Sequence, residues 1–115
     1  MNYFSNKELS CRCGCGMMPK IVTISLLNRI RQDYGKPIGI TSGARCPTYN
    51  AKIGGAKASE HTKGNAIDLA RTPELLEFLS GKLEHYKVCM EDPAVTTGWI
   101  HIDTRERNGW RVFKP

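Results

Sequence analysis

The stretch Ser59-Glu60-His61-Thr62-Lys63-Gly64-Asn65-Ala66-Ile67-Asp68 decides how the rest of this chain is read. It sets a histidine and an aspartate seven residues apart, in a segment that reads as loop and then strand. Downstream, Gly98-Trp99-Ile100-His101-Ile102-Asp103 supplies a second imidazole. Two imidazoles and one carboxylate suit a catalytic zinc, which takes three protein ligands and keeps a fourth position for water.

The three ligands have to converge. In a strand over residues 98–104 the side chains of Trp99, His101 and Asp103 share one face, because alternate residues point the same way. In a strand over residues 65–70, Ala66 and Asp68 share one face and Ile67 and Leu69 the other. If these two strands pair, His101 meets Asp68, and His61 arrives from the loop just ahead, with Gly64 letting the backbone turn. Taken singly, a loop histidine is more often a surface residue and a strand-end aspartate a turn residue. The spacing of the set is what carries the reading.

A hydrolytic zinc site also needs a base for the bound water and a group that holds the substrate. Asp103 lies two residues after His101 on the same face, as a candidate base or a partner to the histidine. Glu91 is the other candidate base. Arg45 follows a strand and a glycine turn, where a guanidinium can grip a peptide carboxylate through two parallel hydrogen bonds. The plainer alternatives are a surface arginine at 45 and an Asp103 paired with Arg105. Trp99 is read either as cleft lining or as core, the commoner place for a strand tryptophan. His85, at a helix end, is read as structural.

Around this centre the chain reads in order. Phe4 and Leu9 anchor a short leading segment. Ser10-Cys11-Arg12-Cys13-Gly14-Cys15-Gly16 is a tight turn, whose C-x-C-x-C spacing differs from the usual C-x-x-C zinc knuckle. It is either a second metal or redox site, or a glycine turn whose thiols pack as small hydrophobes or pair once, and the unusual spacing favours the turn. Cys46 and Cys89 stand alone. Residues 22–34 read as a helix capped by Thr23 or Ser25, with Leu26, Leu27, Ile30 and Tyr34 on its buried stripe, Gly35 at its end and Pro37 beyond. Ile38 to Ser42 reads as a strand, and Tyr49 to Ala58 as a long glycine-containing loop. Thr72-Pro73-Glu74 starts a second helix that buries Leu75, Leu76, Phe78, Leu79 and Leu83. Tyr86–Met90, residues 98–104 and Gly109–Phe113 read as strands, with Arg105–Asn108 as a hairpin turn. Helices and strands that do not alternate strictly give an α+β fold, a small antiparallel β-sheet with flanking helices, in one domain over residues 1–115.

The chain has 115 residues, a formal net charge of +6 and a pI near 9.2. That excess suits a polyanion, either nucleic acid or a bacterial cell wall. A small nucleic-acid binder would not account for the Ser59–Asp68 spacing and lacks an interleaved aromatic and basic strand pattern, so no nucleic acid is expected. No apolar run reaches the ~20 residues of a membrane span. The N-terminus has no basic flank followed by an apolar core, so no signal peptide is expected.

Ser59 to Asp68 matches, at every fixed position, the S-x-H-x-x-G-x-A-x-D motif of the zinc D-Ala-D-Ala peptidases, a group that extends to lysostaphin and the Hedgehog amino-terminal domain. Thr41-Ser42-Gly43-Ala44-Arg45 resembles the S-G-x-R segment of that family, Asn50 with Gly54-Gly55 its following loop, and Trp99-Ile100-His101-Ile102-Asp103 its late W-x-H-x-D strand. Phe4 to Gly16 looks like the F-x-x-x-E-x-x-C-x-C-G-C start of phage-type and bacterial members. The resemblance implies a Zn2+ held by His61, Asp68 and His101, Arg45 as a substrate-binding residue and Ser59 as a support for the site. It implies a peptidase, carboxypeptidase or endopeptidase, acting on peptide bonds that involve D-amino acids in the peptidoglycan stem peptide. One position departs. Many members carry Glu or Asp three residues before the last histidine as general base, and here that position is Gly98. Asp103 is then the favoured base, ahead of Glu91. The alternative is a non-catalytic, zinc-stabilised binding module. The expected setting is a monomer made in the cytoplasm that acts on the cell wall, as a phage lysin released by a separate holin would.

Overall fold

The computed structural model describes residues 2–105 and 111–115. Its elements run α1 (Asn6–Leu9), α2 (Ile21–Tyr34), β1 (Ile40–Ser42), α3 (Pro47–Lys52), a 3-10 turn (Glu60–Lys63), β2 (Ala66–Leu69), α4 (Pro73–Ser80), α5 (Leu83–Tyr86), β3 (Cys89–Glu91), β4 (Ile100–Asp103) and β5 (Val112–Phe113). The strands form one five-stranded sheet in the order β1-β2-β4-β3-β5.

Register divides the labour of the sheet. In the antiparallel pair of β2 and β4, Ile67 faces Ile102 and Leu69 faces Ile100, while Asp68 faces His101 and Ala66 faces Asp103. Because side chains alternate, the first two pairs share one face and the last two the other. The apolar face joins Met90 of β3, Leu27 and Ile30 of α2, and Leu75 and Leu79 of α4 in one core, with Phe4 and Leu9 packed into it from the start of the chain. The opposite face carries the titratable residues. A one-residue slip of this pairing would exchange the two sets, so the apolar core also fixes where Asp68 and His101 point.

The α+β reading stands, with the sheet antiparallel everywhere except its last edge, where β5 runs parallel to β3. A hairpin through 105–108 would have set β5 beside β4, whereas β5 lies on the far side of β3. The rest of that turn, from residue 106, lies outside the described residues, as do 109 and 110 of the predicted last strand.

Several local expectations shift for identifiable reasons. Helix α2 starts two residues before Thr23, at Ile21, with Lys20 as an N-cap that makes no side-chain hydrogen bond. The Thr23 hydroxyl instead donates to the carbonyl of Gly64 at 2.8 Å, and the Lys20 amide donates to the same oxygen at 3.0 Å. The end of α2 is as read, with Gly35 in the left-handed conformation at φ 76°. Part of the long loop is helical: α3 begins with Pro47 after Cys46, whose sulfur accepts from the Tyr49 amide. Thr72 caps α4 as expected, its hydroxyl accepting from the Leu75 amide at 3.1 Å. That helix stops at Gly81, so Leu83 belongs to α5. Tyr86 ends α5, with its hydroxyl donating to Asp33 at 2.6 Å, and β3 begins three residues later than read.

Candidate metal centre

His61 reaches the site because the chain around it is clamped on both sides. Ser59 caps the 3-10 turn, its hydroxyl accepting from the His61 amide at 3.2 Å. Gly64 closes that turn at φ 74°, a conformation that disfavours any residue with a Cβ. A Cβ there would also sit 3.0 Å from the Lys20 amide nitrogen.

The imidazole of His61 is buried, and its Nδ1 lies 2.7 Å from the carbonyl oxygen of Gly43. A carbonyl only accepts, so Nδ1 carries the proton and Nε2 keeps a lone pair. That Nε2 is buried and makes no hydrogen bond, although Asp68 Oδ1 lies 3.1 Å away. A buried, lone-pair-bearing nitrogen with no hydrogen-bond partner has the chemistry of a metal ligand. His101 presents Nδ1 to the same Asp68 oxygen at 2.8 Å. One donor atom from each of His61, Asp68 and His101 lies within 4.8 Å of the others, and all three residues are buried. The donor set is two imidazole nitrogens and a carboxylate, and it fits zinc.

The protonation pattern follows from this crowding. Burial alone would push Asp68 up, but the hydrogen bond from His101 and the neighbouring imidazole of His61 bring it down to about 2. Burial alone would lower His101, but hydrogen bonds to Asp103 and Asp68 raise it to about 9. The His101 ring is therefore held between two carboxylates, Asp68 on Nδ1 and Asp103 on Nε2.

Asp103, the favoured base in the sequence, lies behind His101. Its Oδ2 is 2.8 Å from His101 Nε2, on the side of the ring away from Asp68, and 2.6 Å from a guanidinium nitrogen of Arg105. The carboxylate is buried, and burial pushes its pKa up, but His101 and Arg105 hold it below the usual range. A base must take up a proton and reach the substrate, and this group does neither readily. Its geometry is that of a carboxylate orienting a ligand histidine through its far nitrogen. The sequence pattern had also paired Asp103 with Arg105, and both relations are present.

Glu91 lies at the end of β3, with Oε2 3.9 Å from His101 Nδ1 and Oε1 accepting from the Thr96 hydroxyl at 2.9 Å. It lines an open cleft of about 690 Å³ together with Arg45, His61, Asp68, Trp99 and His101. Asp103 is absent from that wall. Trp99 is 42% exposed, which overturns the core reading: it lies just before β4 begins and faces the cleft. Phe113, Lys114 and Pro115 close another side, and the Phe113 ring meets His101 edge-on at 6.0 Å.

Arg45 also borders the cleft. Its guanidinium donates to Asp68 Oδ2 at 3.1 Å, to the Ser42 hydroxyl at 3.1 Å and to Asn50 Oδ1 at 3.4 Å. Asn50 in turn donates to the Ala56 carbonyl at 2.8 Å, and a Cβ on Gly55 would strike its Oδ1 at 2.0 Å. His85 stands apart from this centre, exposed at the end of α5 beside Arg29. Two supports carry no local signal in sequence: the Gly43 carbonyl, which is backbone, and Arg71, which holds the carbonyls of Pro93 and Thr96 at 3.0 and 2.8 Å and so braces the loop beside Glu91.

A sheet that gathers two imidazoles and a carboxylate beneath an open cleft points to a metal-dependent hydrolase. The family model described as Peptidase M15 matches residues 2–103, from the leading segment through His61 and His101 to Asp103. The chain belongs to this family, the zinc D-Ala-D-Ala carboxypeptidase-like peptidases, whose members are zinc-dependent. Among curated proteins, none matches the chain. No helix of the described residues is long and apolar enough to cross a membrane.

Proposed function

We propose that the protein is a zinc-dependent peptidase that hydrolyses peptide bonds involving D-amino acids in bacterial peptidoglycan, as a carboxypeptidase or an endopeptidase. The observation that carries this reading is the convergence of His61, Asp68 and His101 under an open cleft in a chain of this family. A cleft of about 690 Å³ falls within the range of sites that bury a small ligand or a short peptide end. The net charge of +6 favours approach to a polyanionic wall, where a phage lysin would act after release from the cytoplasm.

When bound, zinc supplies a Lewis acid for the scissile carbonyl and lowers the pKa of water. The chain's own residues do the rest. Gly43 and Asp103 each hold the far nitrogen of one ligand histidine, fixing its orientation. Glu91, open to the cleft and steadied by Thr96, takes the proton of the attacking water and returns it to the leaving amine. Arg45 pairs with a substrate carboxylate at the cleft wall. In this reading Glu91 supplies the carboxylate that Gly98 lacks.

The test is release of D-alanine or peptide from purified peptidoglycan, with zinc content measured on the same samples, for wild type, Glu91→Gln and Asp103→Asn. Loss of cleavage with zinc retained in Glu91→Gln supports the assignment. Wild type that holds zinc and cleaves no wall type transfers the site to a binding role.

A further inference from the structure

The turn that the sequence favours as a plain glycine corner contains more than a corner, and Cys46 does not stand alone. Cys11, Cys13 and Cys15 come from the segment between α1 and α2, and Cys46 from the residue before α3. Their four sulfurs lie within 4.8 Å of one another. Cys11 Sγ is 3.4 Å from Cys13 Sγ, and Cys13 Sγ is 3.6 Å from Cys46 Sγ. A tetrahedron of sulfurs around zinc, with Zn–S of about 2.3 Å, has edges of about 3.8 Å. A disulfide would bring two sulfurs to about 2.05 Å. All four thiols are free, and the separations of 3.4 and 3.6 Å lie near the tetrahedron's edge and far from a disulfide bond.

The backbone around the cluster is arranged for sulfur. The Cys46 amide donates to Cys11 Sγ at 3.3 Å, and the Tyr49 amide to Cys46 Sγ at 3.3 Å. Gly14 at φ 86° and Gly16 at φ 88° fold the C-x-C-x-C run back on itself. The Cys11 amide closes it on the Met17 carbonyl at 2.8 Å. The spacing differs from C-x-x-C because the fourth ligand comes from 31 residues beyond Cys15, across the sheet's first strand.

We propose that Cys11, Cys13, Cys15 and Cys46 form a closed, four-thiolate structural zinc site, separate from the His61–Asp68–His101 centre. Binding displaces the four thiol protons to solvent and leaves no position for water or substrate. The site ties the leading segment to the residue that follows Arg45, next to the hydrogen bond from the Ala44 amide to the Leu9 carbonyl at 2.9 Å. Arg45 is thereby held between two anchors to the start of the chain.

The experiment is metal analysis and cobalt substitution of the full chain, purified under reducing conditions. The samples are wild type, a His61→Ala/His101→Ala variant that removes the other centre, and Cys13→Ser/Cys46→Ser. Wild type is expected to hold two zinc ions per chain, and the histidine variant one. The cobalt form of the histidine variant is expected to show sulfur-to-cobalt charge transfer in the near ultraviolet. Cys13→Ser/Cys46→Ser is expected to lose one ion and that absorption. Cys13 is exposed, so Cys13→Ser alone tests the ligand without disturbing the fold, and it is expected to weaken retention against a chelator at least tenfold. A histidine variant without metal or charge transfer overturns the proposal. So does a thiol count on freshly reduced, metal-loaded protein that finds two cysteines of the set joined as a disulfide.

Discussion

Gly43→Ala tests the link between backbone packing and the metal centre. A Cβ at Gly43 would lie 2.1 Å from the Leu9 carbonyl oxygen and 2.7 Å from its carbon, against the 3.0 Å below which real Cβ contacts essentially do not occur. Both groups are backbone, so relief requires the strand end and α1 to part by about 0.9 Å, since no side chain can rotate away. That separation stretches the hydrogen bond from the Ala44 amide to the Leu9 carbonyl. It also moves the Gly43 carbonyl that holds His61 Nδ1 at 2.7 Å. Overpacking of this kind costs about 1–3 kcal/mol, which for a chain of this length lowers the melting temperature by about 4–12 °C. Losing the partner that orients a ligand histidine costs about 10–100-fold in metal affinity. The assays are thermal melting of the metal-free protein and zinc competition against a chelator. Gly98→Ala is the control, because a Cβ there meets nothing within 4 Å. If Gly43→Ala matches that control in both assays, the reasoning that ties His61 to the Leu9–Gly43 contact is wrong.

The remaining predictions concern the division of roles and the core. Glu91→Gln should lower turnover by about 10²–10⁴-fold while zinc is retained, and a variant that keeps wild-type rates removes Glu91 as base. Asp103→Asn should weaken zinc binding by about 10–100-fold, read by chelator competition, because the far nitrogen of His101 loses its anionic partner. Unchanged affinity there would show that Asp103 does not position the ring. Leu79→Ala, at a fully buried position of α4, should cost about 2–5 kcal/mol in denaturant unfolding. Thr72→Ala should cost about 1 kcal/mol in the same assay, through loss of the cap on the Leu75 amide.

How much of this was legible in the sequence depends on the range of the interaction. The facing of Asp68 and His101 follows from period-two alternation in two strands, and Ile67, Leu69, Ile100 and Ile102 fix it by burying the other face. The cap at Thr72 and the stop at Gly35 are local chemistry and read directly. Parity of strand positions says that Asp103 shares a face with His101, but not that its carboxylate takes the far nitrogen of the ring. That detail separates a base from a positioning group. Cys46 joins a cluster 31 residues away, and nothing in its neighbourhood announces it. A cysteine cap on α3 is missed because serine, threonine, aspartate and asparagine dominate that position. A two-residue strand such as β5 is too short to show whether it runs parallel or antiparallel.

The path of β5 has a mechanical consequence. Because the strand runs alongside β3 and the residues after it border the cleft, Pro115 is delivered to the rim of the opening above His61, Asp68 and His101. Any polypeptide joined after this residue begins its course at that doorway. A short flexible extension would sweep across the opening, and a bulky fused partner would narrow access to it. The same partner attached ahead of Tyr3 would leave from the segment leading into α1, a part of the fold that does not border the opening.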